Sequence, residues 1–287
     1  MRASHVVVLA FALAACAGTP HAQETGRIGD SVAPVRATIL PASASQGALV
    51  IGSTHPAAIV TIDGRAVRVS PDGSFVFGIG RDVSDVVVVS VKQPGTSVDE
   101  HRISITSRDW PIERIDGVPP TTVNPSPAIA ALIAREQAQV VAARARDDDR
   151  DDYTKHFIWP VQGRISGRFG NQRIYNGTPK SAHSGMDIAA SQGTLVKAPA
   201  AGVITFAAPD LYLTGGTVLI DHGHGVSSNF LHPSRIDVKV GDHVEQGQVI
   251  GAVGATGRAT GPHLHWGMNW FDVRVDPLLV LEASGAP

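Results

Sequence analysis

Apolar and polar positions alternate along much of this chain with the period of two that marks a half-buried strand. Ala58-Ile59-Val60-Thr61-Ile62 runs into Asp63-Gly64 and then into Arg65-Ala66-Val67-Arg68-Val69. Asp-Gly between two such runs predicts a hairpin, because a type I′ turn needs positive φ at both central residues. Pro71-Asp72-Gly73 predicts the next turn, after which Phe75 and Phe77 share one face. Val86 to Val91 reads as a continuous apolar strand, and Arg102-Ile103-Ser104-Ile105 alternates again. Short strands at this spacing predict a small β-sandwich of immunoglobulin-like type over residues 47–110. It holds no catalytic constellation, so its default role is a spacer or binding module.

The pattern changes over residues 111–155. Pro111 to Pro125 is a proline-punctuated connection, and Ser126 followed by Pro127 predicts a helix start, with a capping hydroxyl and a proline whose missing N–H costs nothing there. Ile129, Leu132, Ile133 and Val140 fall on one stripe, away from Arg135, Gln139 and Arg146. Asp147-Asp148-Asp149-Arg150-Asp151-Asp152 then ends the helix, since acids are unfavourable at a C-terminus. The run reads as a solvated boundary, lacking the glycine turn and closing glutamate of a calcium loop. The whole stretch is expected to be a Pro-rich and helical linker.

Residues 156–281 return to short strands broken by glycine. Gly163 to Gly167, Thr194-Leu195-Val196, Gly202 to Phe206, Thr217 to Ile220, Asp237 to Val240 and Gln248-Val249-Ile250 are predicted strands. No helix-length amphipathic segment interrupts them, and the domain is expected to be all-β. Residues 282–287 are left as a tail.

The start of the chain has a different character. Arg2 followed by the apolar run Val6 to Ala15 fits a signal peptide, and the run is too short to settle as a spanning helix. Leu13-Ala14-Ala15-Cys16 resembles the bacterial lipoprotein processing box, which would lipidate Cys16 and tether the protein to a membrane. The plainer alternative is cleavage near Ala22, with Cys16 discarded. Either way, residues 1–22 predict export to the cell envelope or periplasm, and the small, polar residues 23–46 read as a tether. Cys16 is the only cysteine of the 287 residues, so a mature domain must be held by packing rather than by a disulfide.

Composition narrows the function. The formal net charge is −2 and no basic tract tracks phosphates, which argues against a nucleic-acid partner. Neither a Gly-x-Ser-x-Gly elbow nor a His-Glu-x-x-His helix is present.

Two stretches carry chemistry: His183-Ser184-Gly185-Met186-Asp187 and Gly261-Pro262-His263-Leu264-His265-Trp266-Gly267. Together they supply three histidines and a carboxylate, enough to hold a metal and leave one base over. Such ligands suit zinc, whose catalytic sites take three protein ligands and water. Residues i and i+2 of a strand share a face, so His263 and His265 are expected side by side, one on the ion and one on what the ion binds. His222 and His224 have the same spacing, but the glycines around them mark a tight turn and a structural role.

Further motifs follow in order. They are Val196-Lys-Ala-Pro-Ala-Ala-Gly202-Val203, Asp221-His-Gly-His-Gly225, Lys239-Val-Gly-Asp-His-Val-Glu-Gln-Gly-Gln248 and Gly254-Ala-Thr-Gly257-Arg-Ala-Thr-Gly-Pro-His-Leu-His265. With His183 to Ala189, this series resembles the lysostaphin-type (LytM-like) zinc metallopeptidases, which cut peptide bonds in bacterial peptidoglycan. The resemblance covers His156 to Pro277 and implies an antiparallel β-sheet peptidase domain. It implies zinc on His183, Asp187 and His265, with His263 and His232 as the free catalytic histidines. With no glutamate in the motif, a histidine would take the proton of water and help bear the oxyanion. Phe230 and Pro233 depart from the family's tyrosine and leucine around His232, and Pro233 predicts an extended backbone for it.

Two other classes compete. An inactive relative could serve as a binding or amidase-activating module, but such relatives lose ligands that are intact here. A biotinyl or lipoyl carrier shares the Ala198 to Gly202 and Val240 to Gly247 patterns, yet Gly251 to Ala255 lacks the lysine that a carrier needs.

Overall fold

The computed structural model describes residues 35–285. Cys16 and the rest of the leader lie outside them, as do residues 23–34 and 286–287. The first seven strands are β1 (Ser43–Ser45), β2 (Leu49–Ser53), β3 (Ile59–Ile62), β4 (Arg65–Val67), β5 (Ser74–Gly78), β6 (Val86–Lys92) and β7 (Val98–Thr106). They form a five-stranded sheet of order β1-β7-β6-β3-β4 and a two-stranded sheet of β2 and β5. The hairpin of β3 and β4 turns at Asp63 and Gly64 with φ of 47° and 85°, as an Asp-Gly turn requires.

Alternation decides what β6 buries. Val87, Val89 and Val91 are inside, and Val86 and Val88 are only half-buried, although the run is apolar throughout. They share a core with Val60, Ile62, Ile103, Phe75 and Phe77. Strand β5 breaks the alternation, because Val76 between the two phenylalanines is buried as well. Its other face, with Ser74 and Gly78, backs onto the C-terminal half. Gly78 lies against Val275 and Trp270, and the Ser74 hydroxyl is 3.2 Å from that of Tyr153. One continuous apolar core therefore runs from Val50 to Leu281.

The middle of the chain is more than a connection. Strand β8 (Ile112–Ile115) falls inside the proline-punctuated stretch and is followed by the short helix α1 (Pro120–Val123). Helix α2 (Pro127–Arg144) begins as expected, with the Ser126 hydroxyl accepting from the Ile129 N–H and Pro127 in the first turn. Ile129, Leu132, Ile133 and Val140 are its half-buried stripe, but Glu136 and Arg144 lie on the same side. The acidic run differs from the solvated boundary expected of it. Arg150 hydrogen-bonds the Asp221 carbonyl at 2.8 Å and ion-pairs with its carboxylate, while Asp147 pairs with Arg68 at 3.1 Å. Asp148 and Asp152 pair with Arg146 and Arg150, so the run clamps onto the rest of the chain through Arg68 and Asp221.

The remaining elements are β9 (Arg164–Gly167), β10 (Gln172–Tyr175), β11 (Thr178–Pro179), β12 (Met186–Ala189), β13 (Leu195–Lys197), β14 (Gly202–Leu211), β15 (Gly215–Asp221) and β16 (Val226–Leu231). Then come β17 (Arg235–Ile236), β18 (His243–Val244), β19 (Val249–Ala252), β20 (His263–Trp270), β21 (Val273–Val275) and α3 (Pro277–Ala283). An eight-stranded sheet runs β18-β14-β15-β16-β20-β12-β9, with β21 also on β20, and all its pairings are antiparallel. Strand β8 joins β10 in parallel in a smaller sheet at its side. The predicted strand at 237–240 is absent, because Asp237 and Asp242 spend their carboxylates on Arg235 and Lys239 in turns. The chain is mainly β.

Candidate metal centre

Cross-strand register builds the site. Asp187 on β12 stands directly opposite His265 on β20, and Ala189 stands opposite His263. Facing residues of an antiparallel pair have neighbouring Cβ atoms, so the carboxylate and imidazole are brought together by pairing alone. His183 lies in the segment entering β12. Its N–H donates to the Asn171 carbonyl and its own carbonyl accepts from Gly170, both at 2.9 Å. The side chain is fixed too, since Nδ1 donates to the Arg168 carbonyl at 3.0 Å and leaves the Nε2 lone pair facing inward.

Three donor atoms converge. His183 Nε2 is 3.0 Å from His265 Nδ1 and 3.1 Å from Asp187 Oδ1, and the last two are 2.8 Å apart. All three side chains are buried. Donors at about 2.0–2.1 Å from one tetrahedral ion stand about 3.3 Å from one another, so the set fits such an ion with little adjustment. Burial works to raise the Asp187 pKa, but hydrogen bonds and charge from His183 and His265 hold it well below the usual carboxylate value. Burial pushes His265 down to about 4 against the pull of Asp187. Both effects leave the ligands in the deprotonated forms that bind metal.

The two other histidines stand across the cluster. His263 donates Nδ1–H to the Gly261 carbonyl at 2.9 Å and directs Nε2 inward, 3.9 Å from Asp187 Oδ1. His232 donates Nδ1–H to the Thr256 carbonyl at 2.7 Å, and its ring centroid is 4.9 Å from that of His263. Burial, reinforced by His263 and His265, pushes His232 down to about 3, so it is neutral at physiological pH. The extended backbone expected before Pro233 is not found: His232 has φ of 70°, in the left-handed region. Pro233 disfavours the right-handed helical region and leaves this one open. Bonds from the His232 N–H to the Thr214 and Gly216 carbonyls, both 3.0 Å, hold it there.

All five residues line one open groove of about 1120 Å³, which also takes in α2 and the segment around Val118. His222 and His224 are buried outside it. His222 is bound to the Ala201 carbonyl and the Ser228 hydroxyl, and His224 to the Tyr153 hydroxyl.

The sequence pattern gave no sign of Arg173. From β10 it reaches Asp187 Oδ2 at 2.7 Å, and Glu113 on β8 holds it at 3.1 Å. Only the pairing of β8 with β10 brings that chain of charges to the cluster, and a lone arginine ten residues before His183 carries no periodic signal.

Comparisons with known proteins agree with this geometry. Residues 181–277 match the model of peptidase family M23. The peptidoglycan DD-endopeptidase ShyA of Vibrio cholerae is 42% identical over 129 residues, 44% of this chain and 29% of that protein. The DD-carboxypeptidase/endopeptidase Mpg of Neisseria meningitidis is 42% identical over 120 residues, 42% of this chain and 27% of that protein. The chain thus spans less than a third of these curated relatives. A solved structure from Pseudomonas aeruginosa, described as a putative peptidase M23, is 33% identical with a TM-score of 0.66, covering 83% of this chain and 95% of that one.

Proposed function

This chain belongs to peptidase family M23, and on that premise we propose that it is a zinc-dependent endopeptidase that hydrolyses peptide bonds in bacterial peptidoglycan. The observation that carries the reading is the convergence of His183 Nε2, Asp187 Oδ1 and His265 Nδ1 within 3.1 Å, with two more histidines facing them. These three residues would hold the ion. When bound there, zinc acidifies water and polarises a carbonyl.

The chain's own residues do the rest. His263 and His232 each give Nδ1–H to a backbone carbonyl, which fixes the tautomer and leaves Nε2 as proton acceptor. His263, nearer the carboxylate, takes the proton of the attacking water and passes it to the leaving amine. His232 lies alongside, within reach of the charge that develops on the carbonyl oxygen. Arg173 keeps Asp187 oriented. An inactive binding module would have no use for this set intact.

The first module is read as an immunoglobulin-like spacer or binding module, supported by the strand order β1-β7-β6-β3-β4 facing β2-β5. Export to the envelope, with lipidation of Cys16 as the tethered form, is supported by the apolar leader. Digesting purified wall with zinc-loaded protein and identifying the fragments by mass spectrometry tests the activity. Cut peptide cross-links are expected, and intact wall after prolonged digestion by zinc-replete protein would refute it.

A further inference from the structure

Beyond the histidines, the groove contains cations that nothing balances. Arg144, near the C-terminus of α2, and Arg274, on β21, both line it. Among the described residues neither side chain has an ion pair or a hydrogen bond, whereas each acid lining the groove has a partner. The two guanidinium groups repel one another, and burial together with that repulsion pushes Arg144 down to about 10. Arg144 is half-buried and Arg274 exposed, so both are open to an anion entering the groove, which would relieve their repulsion.

The sheet beneath them is also unfinished. Asn269 stands opposite Arg274 in register, is fully buried, and has no partner for either end of its carboxamide. Asn229 lines the groove, is 5% exposed, and its Oδ1 is likewise unpartnered. Native proteins leave few buried amides unsatisfied, and each costs about 1–3 kcal/mol. Asn229 lies opposite Gly267, where any side chain would collide with the carboxamide at 2.5 Å. The Asn229 carboxamide therefore packs over Gly267, between His265 and Asn269 on β20. Asn269 is four positions beyond His265 on β20, about 13 Å at strand spacing. That distance is a few residues of an extended peptide.

We propose that Arg144 and Arg274, with Asn229 in the same groove, form a subsite that binds a carboxylate of the peptide substrate. The subsite rests on the endopeptidase reading and adds its specificity: peptides with a free carboxylate a few residues from the scissile bond are preferred. Two guanidinium groups supply charge-assisted donors to the carboxylate, and a peptide N–H of the same ligand would donate to the Asn229 Oδ1.

The test is equilibrium binding by calorimetry of the free stem tetrapeptide, which has no cross-link to cut, to the zinc-loaded full chain. Four forms of the probe are compared: unmodified, amidated at the C-terminus, amidated at its side-chain carboxylates, and fully amidated. The unmodified form should bind about tenfold tighter than the fully amidated one, and the single amidations assign the carboxylate. Arg144→Gln and Arg274→Gln should each remove that preference while zinc content and melting temperature stay at wild-type values. Arg274→Lys should restore part of it. Equal binding of all four forms, no binding of the unmodified form at millimolar concentration, or a preference that survives in both glutamine variants would overturn the subsite. Wall digestion is measured separately. Cut wall without carboxylate preference refutes only the subsite, and uncut wall with preference refutes only the endopeptidase reading.

Discussion

His222-Gly-His224 and His263-Leu-His265 have the same spacing, both lie in the same half of the chain, and three of the four rings are buried. Only the second pair lines the groove. The difference is backbone. His263 and His265 sit on β20, where period-two geometry puts both rings on the face opposite Asp187 and Ala189. Between His222 and His224 the chain turns, with φ of 88° at Gly223 and 49° at His224, and the rings diverge to separate partners. Gly223 makes that turn possible, since a Cβ there would strike the Arg150 carbonyl at 1.9 Å. Spacing becomes a site only when the strand continues and a partner strand supplies the complementary group.

The sharpest way to break this contrast is His265→Ala. Three protein ligands become two, so zinc per protein by atomic spectroscopy should fall well below one and wall digestion should disappear with it. Retained stoichiometric zinc would remove His265 from the ligand set. Next in size is His263→Ala, which should keep its zinc and lose roughly 10²- to 10⁴-fold in turnover, the usual contribution of a positioned acid or base. If zinc leaves this variant and stays in His265→Ala, the two roles are reversed.

A smaller effect tests the support behind the ligands. Arg173→Met removes the guanidinium that orients Asp187, and zinc affinity measured by competition with a chelator should weaken roughly 10- to 100-fold. Unchanged affinity would mean that His183 and His265 position the carboxylate unaided.

The smallest effect on activity belongs to the other pair. His222→Asn should leave zinc binding and wall digestion at neutral pH near wild type. Its signature is stability instead. Burial pushes His222 from 6.5 down to about 4, so the folded chain holds it neutral while the unfolded chain takes up a proton below pH 6.5. Its neutral burial therefore has no protonation penalty above pH 6.5. As pH falls from 6.5 towards 4, wild type loses up to roughly 3 kcal/mol through this residue. Denaturant unfolding across that range should be visibly flatter in His222→Asn, and parallel curves would show that His222 does not carry the acid sensitivity.

Strand periodicity, the Asp-Gly hairpin and the Ser126-Pro127 helix start could all be read locally, because each depends on residues within a few positions of one another. So could the pairing of His263 with His265, which needs only a strand. Chain order and motif series pointed to His183, Asp187 and His232 through family resemblance. The strand at 237–240 failed because its acids are satisfied in turns, and β8 was hidden by the prolines around it. The backbone of His232 went the other way from the expectation because two carbonyls outside the motif, those of Thr214 and Gly216, outweighed the simplest reading of Pro233.

The sequence by itself determined that the chain is mainly β, that a His/Asp set capable of holding zinc lies in its C-terminal half, and that the His-x-His motif presents one face. Tertiary structure alone decided which distant groups join that set. Asp187 meets His265 through the register of β12 on β20, and Glu113 reaches it through Arg173 because β8 lies beside β10. Arg144 and Arg274 are 130 positions apart and share a groove only because α2 packs beside the sheet that carries β21. Local pattern is set by backbone geometry over a few residues, whereas the charges that meet in a groove are set by which surfaces the whole core must bury together.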